Sequence, residues 1–503
     1  MHSPFYNCIP IAVAFSLFSL YNKKKRNDFQ IQEREIMSFT IENGVLKKYT
    51  AEPGITRVEI PEGVTEIDNF AFSDAKEITE IILPDSLTKL KGHVLCGCVA
   101  LAHIHISASL TNIDLFGFHM RTIGFSKLTN LTEITVSENN RCFCSIDGVL
   151  YTKDKETLVL CPVGKNSIHI PEGVKCIGDN AFAGCANITE IRFPDSLTTI
   201  RAYAFHSCGI LEADIPESVK IIETGAFYRC RSLSRIKLPD GITEIANCLF
   251  SQNYILSEIT IPESVKRIGS YAFASCKLLS FVSLPENVSS VGSSAFSNCR
   301  SLRKIVLHDK ITRLLDRTFE ICPALECITI PESVTFIGEN VFFYCHGLAS
   351  LTMPLSVTSI GKSTFESCPS LSVIKLHPDD PDMIREYHSI EYLEDSIQTG
   401  LRIIQTGDTS LPLDRRIKYT FIVLHYLRTK DSRLKLYIQK NIQKIMKKCI
   451  ACGDTDVIRA FAETDDFITK GCIEKYIQRA LDCNQQEIYN ILTEYKQRMK
   501  NDI

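Results

Sequence analysis

Hydrophobic and polar positions recur along this chain in a unit of about 23 residues that is marked by a turn signature. The signature is proline, an acidic residue, a small residue and an aliphatic residue, first at Pro61-Glu62-Gly63-Val64. From Pro171 onward the frame advances by 23 residues, with a single step of 22 between Pro194 and Pro216. Its other prolines are Pro84, Pro239, Pro262, Pro285, Pro331 and Pro354, while Ser107 and His308 replace proline in frame. Self-similarity at a fixed period indicates a repeat protein rather than one globular core.

Each unit carries the same apolar residues at the same offsets. Aliphatic residues lie three and six positions after the proline, as Val174 and Ile177 follow Pro171, and phenylalanine lies eleven positions after it. These phenylalanines are Phe72, Phe182, Phe205, Phe227, Phe250, Phe273, Phe296, Phe319, Phe342 and Phe365. The closing Leu-x-x-Ile-x-Leu predicts a short strand before the turn, and the Ala-Phe pair predicts a short helical or irregular arc. Because one unit cannot bury its own apolar face, we predict an elongated solenoid with a spine of phenylalanines.

A cysteine follows the phenylalanine at one fixed place in the unit. These thiols are Cys98, Cys185, Cys208, Cys230, Cys276, Cys299, Cys322, Cys345 and Cys368, among 21 cysteines in the chain. Buried cysteine behaves as a small hydrophobe, so we predict a packed ladder of reduced thiols. Adjacent strands lie about 4.7–4.9 Å apart, which leaves disulfides or a metal between rungs as the alternative.

Two hairpins are predicted outside the regular unit. Between Ser107 and Pro171 the step is longer. There, Asp147-Gly148, a strand after it, a turn at Lys153-Asp154-Lys155 and Leu158-Val159-Leu160 predict a hairpin insert near 142–165. Asn43-Gly44 predicts a similar hairpin that covers the first repeat, since the ends of a solenoid need a cap.

The unit Pro-Glu-Ser-Val-Lys-x-Ile-x-x-x-Ala-Phe-x-x-Cys-x-x-Leu-x-x-Ile-x-Leu resembles the repeat of the BspA-type leucine-rich repeat family. The Asp-Gly-Val-Leu-Tyr-x-Lys-Asp insert is similar to one found in that family. The resemblance covers about residues 40–377 and implies a leucine-rich repeat solenoid over 37–377. It also implies a binding protein, because family members are associated with adhesion and with binding host or matrix proteins, usually from the cell surface.

Composition changes at His377-Pro378, where a double-proline break ends the repeats. Helical periodicity follows, so 378–503 is predicted to be an all-α module and the whole chain α+β. One stripe contains Ile417, Phe421, Leu424 and Leu427; another contains Leu434, Ile438, Ile442, Ile445 and Cys449, with Asp431 as N-cap. Further helices are predicted at about 454–464, 467–481 and 485–499. The helices that open after Gly453 and Asn484 faintly resemble degenerate ankyrin-like hairpins, without the Thr-Pro-Leu-His signature of that family.

The first 36 residues are predicted to lie outside the fold. Ile9–Tyr21 is an apolar run followed by Lys23-Lys24-Lys25-Arg26, whereas an export signal carries its positive charge before the apolar stretch. A membrane-spanning helix needs about 20 apolar residues. We therefore expect an upstream extension, with a reversed anchor or an atypical export signal as alternatives. The expected location is the cytoplasm, with the cell surface as the alternative.

Charge and motif content argue against catalysis. The formal net charge of −3 gives no global field to hold phosphates, so no nucleic-acid partner is expected. Cys449 and Cys452 have redox or zinc spacing without a second pair, and Cys142 and Cys144 also lack partners. The closest histidines, His103 and His105, match no metal or triad pattern. We predict no enzyme, no metal and no cofactor.

The basic helix predicted over 431–449 is a separate feature of the tail. Arg428 to Lys448 carries eight basic residues against Asp431 alone. Such a helix suits a membrane surface, an acidic partner or RNA, and a solvated face is the preferred interpretation. Membrane contact through this helix or through Ile9–Tyr21 is therefore not favoured.

Residues between the apolar positions of Leu-x-x-Ile-x-Leu are predicted to point outward from the sheet, Glu80 among them. The candidate partner-binding residues are Glu190, Arg192, Arg235, Lys237, Glu258, Arg303, Lys304 and Lys375. Their variety on a fixed frame is typical of an extended binding surface. The predicted function is a non-enzymatic scaffold for a protein partner of unknown identity. The alternative is a surface or secreted adhesin that binds host glycoprotein or matrix.

Overall fold

The computed structural model describes residues 39–91, 93–113, 128–354, 356–375, 393–413, 415–464 and 467–501. In chain order their strands are β1 (Phe39–Glu42), β2 (Val45–Tyr49), β3 (Arg57–Glu59), β4 (Glu66–Ile67), β5 (Glu80–Ile82), β6 (Lys89–Leu90), β7 (His103–Ile106), β8 (Asn112–Ile113), β9 (Glu133–Val136), β10 (Phe143–Ile146), β11 (Val149–Thr152), β12 (Thr157–Leu160), β13 (Cys176–Ile177), β14 (Thr199–Ile200), β15 (Glu212–Asp214), β16 (Ile221–Ile222), β17 (Arg235–Lys237), β18 (Glu244–Ile245), β19 (Arg267–Ile268), β20 (Phe281–Ser283), β21 (Ser290–Val291), β22 (Lys304–Val306), β23 (Arg313–Leu314), β24 (Cys327–Thr329), β25 (Phe336–Ile337), β26 (Ser350–Thr352), β27 (Ser359–Ile360) and β28 (Val373–Lys375). Their helices are α1 (Leu393–Thr406), α2 (Arg415–Thr429), α3 (Ser432–Cys452), α4 (Thr455–Thr464), α5 (Ile473–Asp482) and α6 (Gln486–Asn501). About 13 solenoid turns lie between residues 45 and 360 and a helical module follows, so the predicted architecture is confirmed.

The regular turns contribute strands to two faces, whereas the sequence pattern predicted one strand per turn. The longer strands come from Leu-x-x-Ile-x-Leu and form parallel sheets on what we call the long-strand face: β3, β5, β7, β9, β15, β17, β20, β22, β24, β26 and β28. The shorter strands have two residues, and β18 ends at Ile245, six positions after its proline. These form the short-strand face. A two-residue strand has one inward side chain, so it leaves no alternation in the sequence to detect.

The proline turn between the two faces connects each turn of the solenoid to its neighbour. The acidic residue accepts a backbone N–H from the next turn, as Glu62 accepts from Asp85 at 2.7 Å. The serine acts in the opposite direction, because the Ser196 hydroxyl donates to the Val174 carbonyl at 2.8 Å. The recurring Pro-acid-Ser motif therefore supplies hydrogen bonds between turns.

The third side of each turn is an arc around the buried phenylalanine. Residues two positions before and after it adopt left-handed conformations, as Tyr203 (φ 55°) and Ser207 (φ 56°) do around Phe205. Alternate N–H groups then reach the next turn: Tyr203 donates to Thr224 at 3.0 Å and Phe205 donates to Ala226 at 2.7 Å. The arc, predicted as helical or irregular, is irregular and forms a third hydrogen-bonded ladder.

The phenylalanines of successive turns stack into the predicted spine. From Phe182 to Phe365 neighbouring ring centroids lie 4.9–6.0 Å apart, with planes inclined by 6–22°. These rings are fully buried, and stacking within this distance is favourable for aromatic pairs. Truncation of such a ring to alanine costs about 3–5 kcal/mol, so the spine contributes strongly to cohesion between turns.

Cysteines occupy a buried column beside the spine. The Cys230 thiol donates to the Phe205 carbonyl at 2.9 Å, and the Cys276 thiol donates to the Phe250 carbonyl at 3.1 Å, one turn back in each case. Both cysteines are free and fully buried. Burial raises the pKa of the Cys276 thiol to about 12. These contacts are those of a packing column, as predicted.

A three-stranded insert divides the apolar core in two. Asp147 and Gly148, with φ of 50° and 74°, turn β10 into β11. β12 then returns antiparallel to β11 and pairs in parallel with β13. The predicted hairpin is present, and β10 is an additional strand because Asp-Gly itself forms a turn. Side chains along β11 alternate between the two cores: Leu150 packs on the N-terminal side and Tyr151 on the C-terminal side.

Both ends of the solenoid are covered. β1 and β2 form the predicted opening hairpin, and β2 pairs in parallel with β4. At the other end Ile397 and Leu401 of α1 join the solenoid core. The Gln405 amide also donates to the Val357 carbonyl at 3.0 Å. α1 therefore caps the last turns, while α2–α6 form most of a separate apolar cluster.

The helices predicted from apolar stripes lie close to their expected positions. Asp431 is the N-cap of α3, where its carboxylate accepts the Arg433 N–H at 2.8 Å. Two differences from the sequence-based prediction need correction. α1 was not predicted from the sequence, and α5 begins at Ile473 rather than near residue 467. Phe467 and Ile468 are buried but not helical, so their apolar side chains were wrongly included in the apolar stripe of the helix. Residues 1–36, the proposed boundary at 377 and 378, and the side chains of Ile417 and Leu424 lie outside the described residues.

Candidate protein-binding surface

The residues predicted to bind a partner lie along the long-strand face. Arg235 and Lys237 flank the buried Ile236 on β17, and Lys304 begins β22 directly after Arg303. Glu190, Arg192 and Glu258 are also exposed. They occupy the same place in their own turns, but the backbone there does not form a regular strand. Lys375 ends β28, and its side chain lies outside the described residues.

Carboxylates of the same region pair with several of these residues. The Arg235 guanidinium lies 2.9 Å from Glu212 and 3.1 Å from Asp214, both on β15. The hydrogen bonds to Glu212 and then to Asp214 raise the pKa of Arg235. The other pairs are Arg192–Glu190 at 3.4 Å, Lys237–Glu217 at 3.5 Å and Arg303–Glu326 at 3.9 Å. Because exposed pairs are worth only about 0–1 kcal/mol, a partner can exchange them at little cost.

An open cleft of about 460 Å³ borders this face at a proline turn, and Asp214, Glu217 and Lys237 help to line it. Glu217 accepts the backbone N–H of Asp240 at 2.8 Å. That hydrogen bond, and then the contact with Lys237, lowers the pKa of Glu217. These charged groups therefore have structural partners in neighbouring turns.

The histidines and cysteines singled out from sequence have ordinary contacts. His103 lies 2.9 Å from Glu133, and His105 Nδ1 lies 2.9 Å from the Thr135 hydroxyl, so both join β7 to β9. The Cys144 thiol donates to the Thr152 carbonyl at 3.2 Å. Across the described ranges, no group of three or more His, Cys, Asp or Glu side chains is arranged to hold a metal ion.

A cluster that sequence analysis missed lies where the arc meets the long-strand face. Tyr254 lies between two cations of adjacent turns: Arg231 is 5.2 Å and Lys277 is 4.2 Å from its ring centroid. Apolar side chains are exposed nearby in sequence, with Ile255 39%, Leu278 49% and Phe281 49% accessible. The available signal was their departure from the repeat, because the equivalent positions in the neighbouring turns are Ser232, Ser301, Glu258 and Lys304.

The predicted basic helix is α3. Its buried side consists of Leu434, Ile438, Ile445, Met446, Cys449 and Ile450. Lys440, Lys444, Lys447 and Lys448 are exposed, which agrees with a solvated face. In the part of the chain that the structure describes, no helix combines the length and apolarity needed to cross a membrane.

Comparison with known families identifies the repeats. The model of the BspA type leucine-rich repeat region matches residues 46–149, 164–280 and 268–387, which together exceed half of the chain. The chain belongs to the BspA-type leucine-rich repeat family. The resemblance drawn from Pro-Glu-Ser-Val, Ala-Phe and Cys is thus confirmed. A comparison with curated proteins gives no significant match.

Several solved structures of leucine-rich repeat proteins are similar to this BspA-type chain. A leucine rich cell surface protein of Faecalibacterium prausnitzii is 25% identical, with a TM-score of 0.43, over 67% of this chain and 92% of that one. A leucine-rich repeat protein of Eubacterium ventriosum is 19% identical, with a TM-score of 0.38, over 58% and 86%. One of Bacteroides ovatus is 23% identical, with a TM-score of 0.31, over 69% and 94%.

Proposed function

We propose that this BspA-type protein is a non-enzymatic scaffold whose long-strand face binds a protein partner. One observation carries the proposal: the inward positions of this face are aliphatic in successive turns, whereas the residue type at the outward positions differs from turn to turn. Ile236, Val282 and Ile305 are all buried, whereas the outward positions beside them are occupied by Arg235, Phe281 and Lys304. A constant frame with a variable outer row is how solenoid proteins present extended binding surfaces.

Further support comes from the rigidity of the frame. Each turn is joined to the next through both faces and through the arc, as Thr198 N–H donates to Lys175 and Phe205 N–H donates to Ala226. The outward side chains are therefore displayed on an ordered backbone. A pre-ordered surface loses little conformational entropy on binding.

The test is capture of proteins from source cells on the full-length chain. The variant reverses charges on the long-strand face, with Arg192→Glu, Lys237→Glu and Lys304→Glu. The matched control reverses charges on the short-strand face, with Lys220→Glu, Lys266→Glu and Arg313→Glu. We expect a protein that is retained by the wild type and the control and is lost from the variant. An unchanged set of retained proteins for all three baits contradicts the proposal.

We also propose a cytoplasmic location. Cys327 on the long-strand face is exposed, so its redox state reports the compartment, whereas the buried thiols do not. A Cys327 that reacts with a thiol label immediately after cell lysis supports this location, and one that reacts only after treatment with a reductant contradicts it.

The likeness of the helices after residue 387 to ankyrin-like hairpins stays a hypothesis, because the family match ends there.

A further inference from the structure

The cluster around Tyr254 lies at one edge of the long-strand face, and we call it the Tyr254 surface: Arg231, Tyr254, Ile255, Lys277, Leu278 and Phe281. Arg231, Tyr254 and Lys277 occupy the same place in three successive turns, directly after the residue of the cysteine column. The half-buried Tyr254 ring is held between the two cations at 5.2 Å and 4.2 Å. Ile255 and Leu278 form the next row in adjacent turns.

The repeat itself provides an internal comparison for this surface. In the row of Ile255 and Leu278, the turns on either side carry Ser232 and Ser301. In the row of Phe281, neighbouring turns carry Glu258 and Lys304. The fold therefore does not require apolar side chains at these places. Their 39–49% exposure creates apolar area on an otherwise polar surface, and contiguous exposed apolar area marks interaction sites.

The charge around the apolar rows is mainly positive. Among the described residues, no carboxylate lies within ion-pair distance of Arg231, Lys277, Arg300 or Lys304. Lys304 is the register partner of Phe281 in the parallel pair β20–β22. Of the acids nearby in the repeat, Glu258 lies in the row of Phe281 and Lys304. Glu326 lies in the row of Arg303 and already pairs with Arg303 at 3.9 Å. Apolar side chains bordered by unpaired cations complement an apolar segment that carries carboxylates.

We propose that the Tyr254 surface docks a protein segment whose apolar side chains are flanked by aspartate or glutamate. This rests on the proposed scaffold function and names the position and the partner chemistry. Tyr254 and Arg231 are of the residue types that dominate interface energetics. Ile255, Leu278 and Phe281 provide the apolar contacts, and the surrounding cations set the preference for acidic flanks.

The experiment pans a random twelve-residue peptide library, displayed on phage, against the full-length chain. Selected peptides are then titrated against a Leu278→Ser/Phe281→Ser variant. The matched control is Leu211→Ser/Ile221→Ser, which removes apolar side chains of similar exposure, 47% and 53%, elsewhere. All substituted residues are at the surface, and circular dichroism melts verify that both variants are folded.

We expect the selected peptides to combine apolar residues with aspartate or glutamate. Their affinity should fall by at least about tenfold on the Leu278→Ser/Phe281→Ser variant and should not change on the control. Arg300→Glu, a second variant, should weaken binding, as should added salt. Equal binding to all variants, enrichment of basic peptides or no enrichment would overturn the proposal.

The two proposals fail in different ways. In one outcome, a cellular protein is lost from the Arg192→Glu/Lys237→Glu/Lys304→Glu variant, but the selected peptides bind the Leu278→Ser/Phe281→Ser variant as well as the wild type. This outcome supports the scaffold function and refutes the Tyr254 surface. An unchanged set of captured proteins refutes the scaffold function itself.

Discussion

Replacement of Phe227 by aspartate tests the stacked spine most severely. The Phe227 ring is fully buried and stacks on Phe205 at 5.0 Å and on Phe250 at 6.0 Å. Loss of the ring costs about 3–5 kcal/mol, and burial of an unpaired carboxyl group adds about 1–3 kcal/mol. The sum is comparable to the stability of many whole domains, roughly 5–15 kcal/mol. We therefore expect Phe227→Asp to unfold its own turn and the turns adjacent to it.

The pH dependence of this variant has a definite sign. Burial raises the pKa of the new carboxyl group in the folded state above its value of about 3.9 in the unfolded chain. The carboxyl group is neutral in both states below about pH 3.9, and above it ionisation favours the unfolded state. Phe227→Asp should therefore be least destabilised near pH 4 and lose stability as the pH rises. Phe227→Leu, the control, should show a smaller loss that does not depend on pH.

Hydrogen exchange measured by mass spectrometry localises the effect. In a solenoid each turn contacts only its neighbours. Protection should thus vanish first around residues 204–250 and persist in the turns between 313 and 360. A thermal melt and an exchange pattern identical to those of the wild type would refute the stacked spine.

Three further predictions concern other parts of the molecule. Asn140 is buried and donates to the carbonyls of Ser107 and Leu110 at 2.8 and 2.9 Å while its oxygen accepts two backbone N–H groups. Asn140→Ala should lower the free energy of unfolding in urea by about 3 kcal/mol or more, since each unsatisfied buried group costs about 1–3 kcal/mol; a change below about 1 kcal/mol would contradict this network. A thiol reagent at neutral pH should label Cys327 within seconds and leave Cys276 unreactive until unfolding, because burial raises the Cys276 pKa to about 12; equal rates would contradict the packing column. Asp431→Ala should destabilise the helical module by about 1 kcal/mol through loss of the N-cap. Because the hydrogen bond with Arg433 lowers the Asp431 pKa to about 2, the pH-dependent part of this contribution is fully present above about pH 4 and is lost as the pH falls through 2. A difference between wild type and Asp431→Ala that does not change with pH would argue against the Arg433 contact.

The spine and the thiol column were predictable because each depends on one residue type at a fixed offset. Phe205 and Cys230 needed only the period to be placed in neighbouring turns. The opening hairpin was also predictable, since Asn43-Gly44 has the chemistry of a hairpin turn.

The short-strand face could not be predicted in the same way. A strand such as Glu244–Ile245 has a single inward residue, so it shows no alternation. The arc was ambiguous because left-handed conformations at Tyr203 and Ser207 have no glycine to signal them. The α1 cap did leave a signal, since Ile397, Leu401 and Ile404 follow helical spacing.

The candidate site was predictable only as a row of positions. Sequence periodicity placed Arg235 and Lys237 on the outer side of a strand, where the structure has them. It did not show that Glu212 and Asp214 pair with Arg235, because lateral neighbours depend on register between turns. The Tyr254 surface left a sequence signal in the departure of Ile255, Leu278 and Phe281 from the repeat. The exposure of these side chains and the approach of Arg231 and Lys277 to the Tyr254 ring required three dimensions.

Small-angle X-ray scattering of the full-length chain tests the central claim most directly. About 13 turns spaced by about 4.8 Å make a solenoid roughly 60 Å long before its insert and helices are added. We expect a skewed distance distribution that extends well beyond roughly 60 Å. A symmetric distribution with a radius of gyration near 23 Å, about the value for a compact chain of 503 residues, would contradict stacked turns that share one elongated interior.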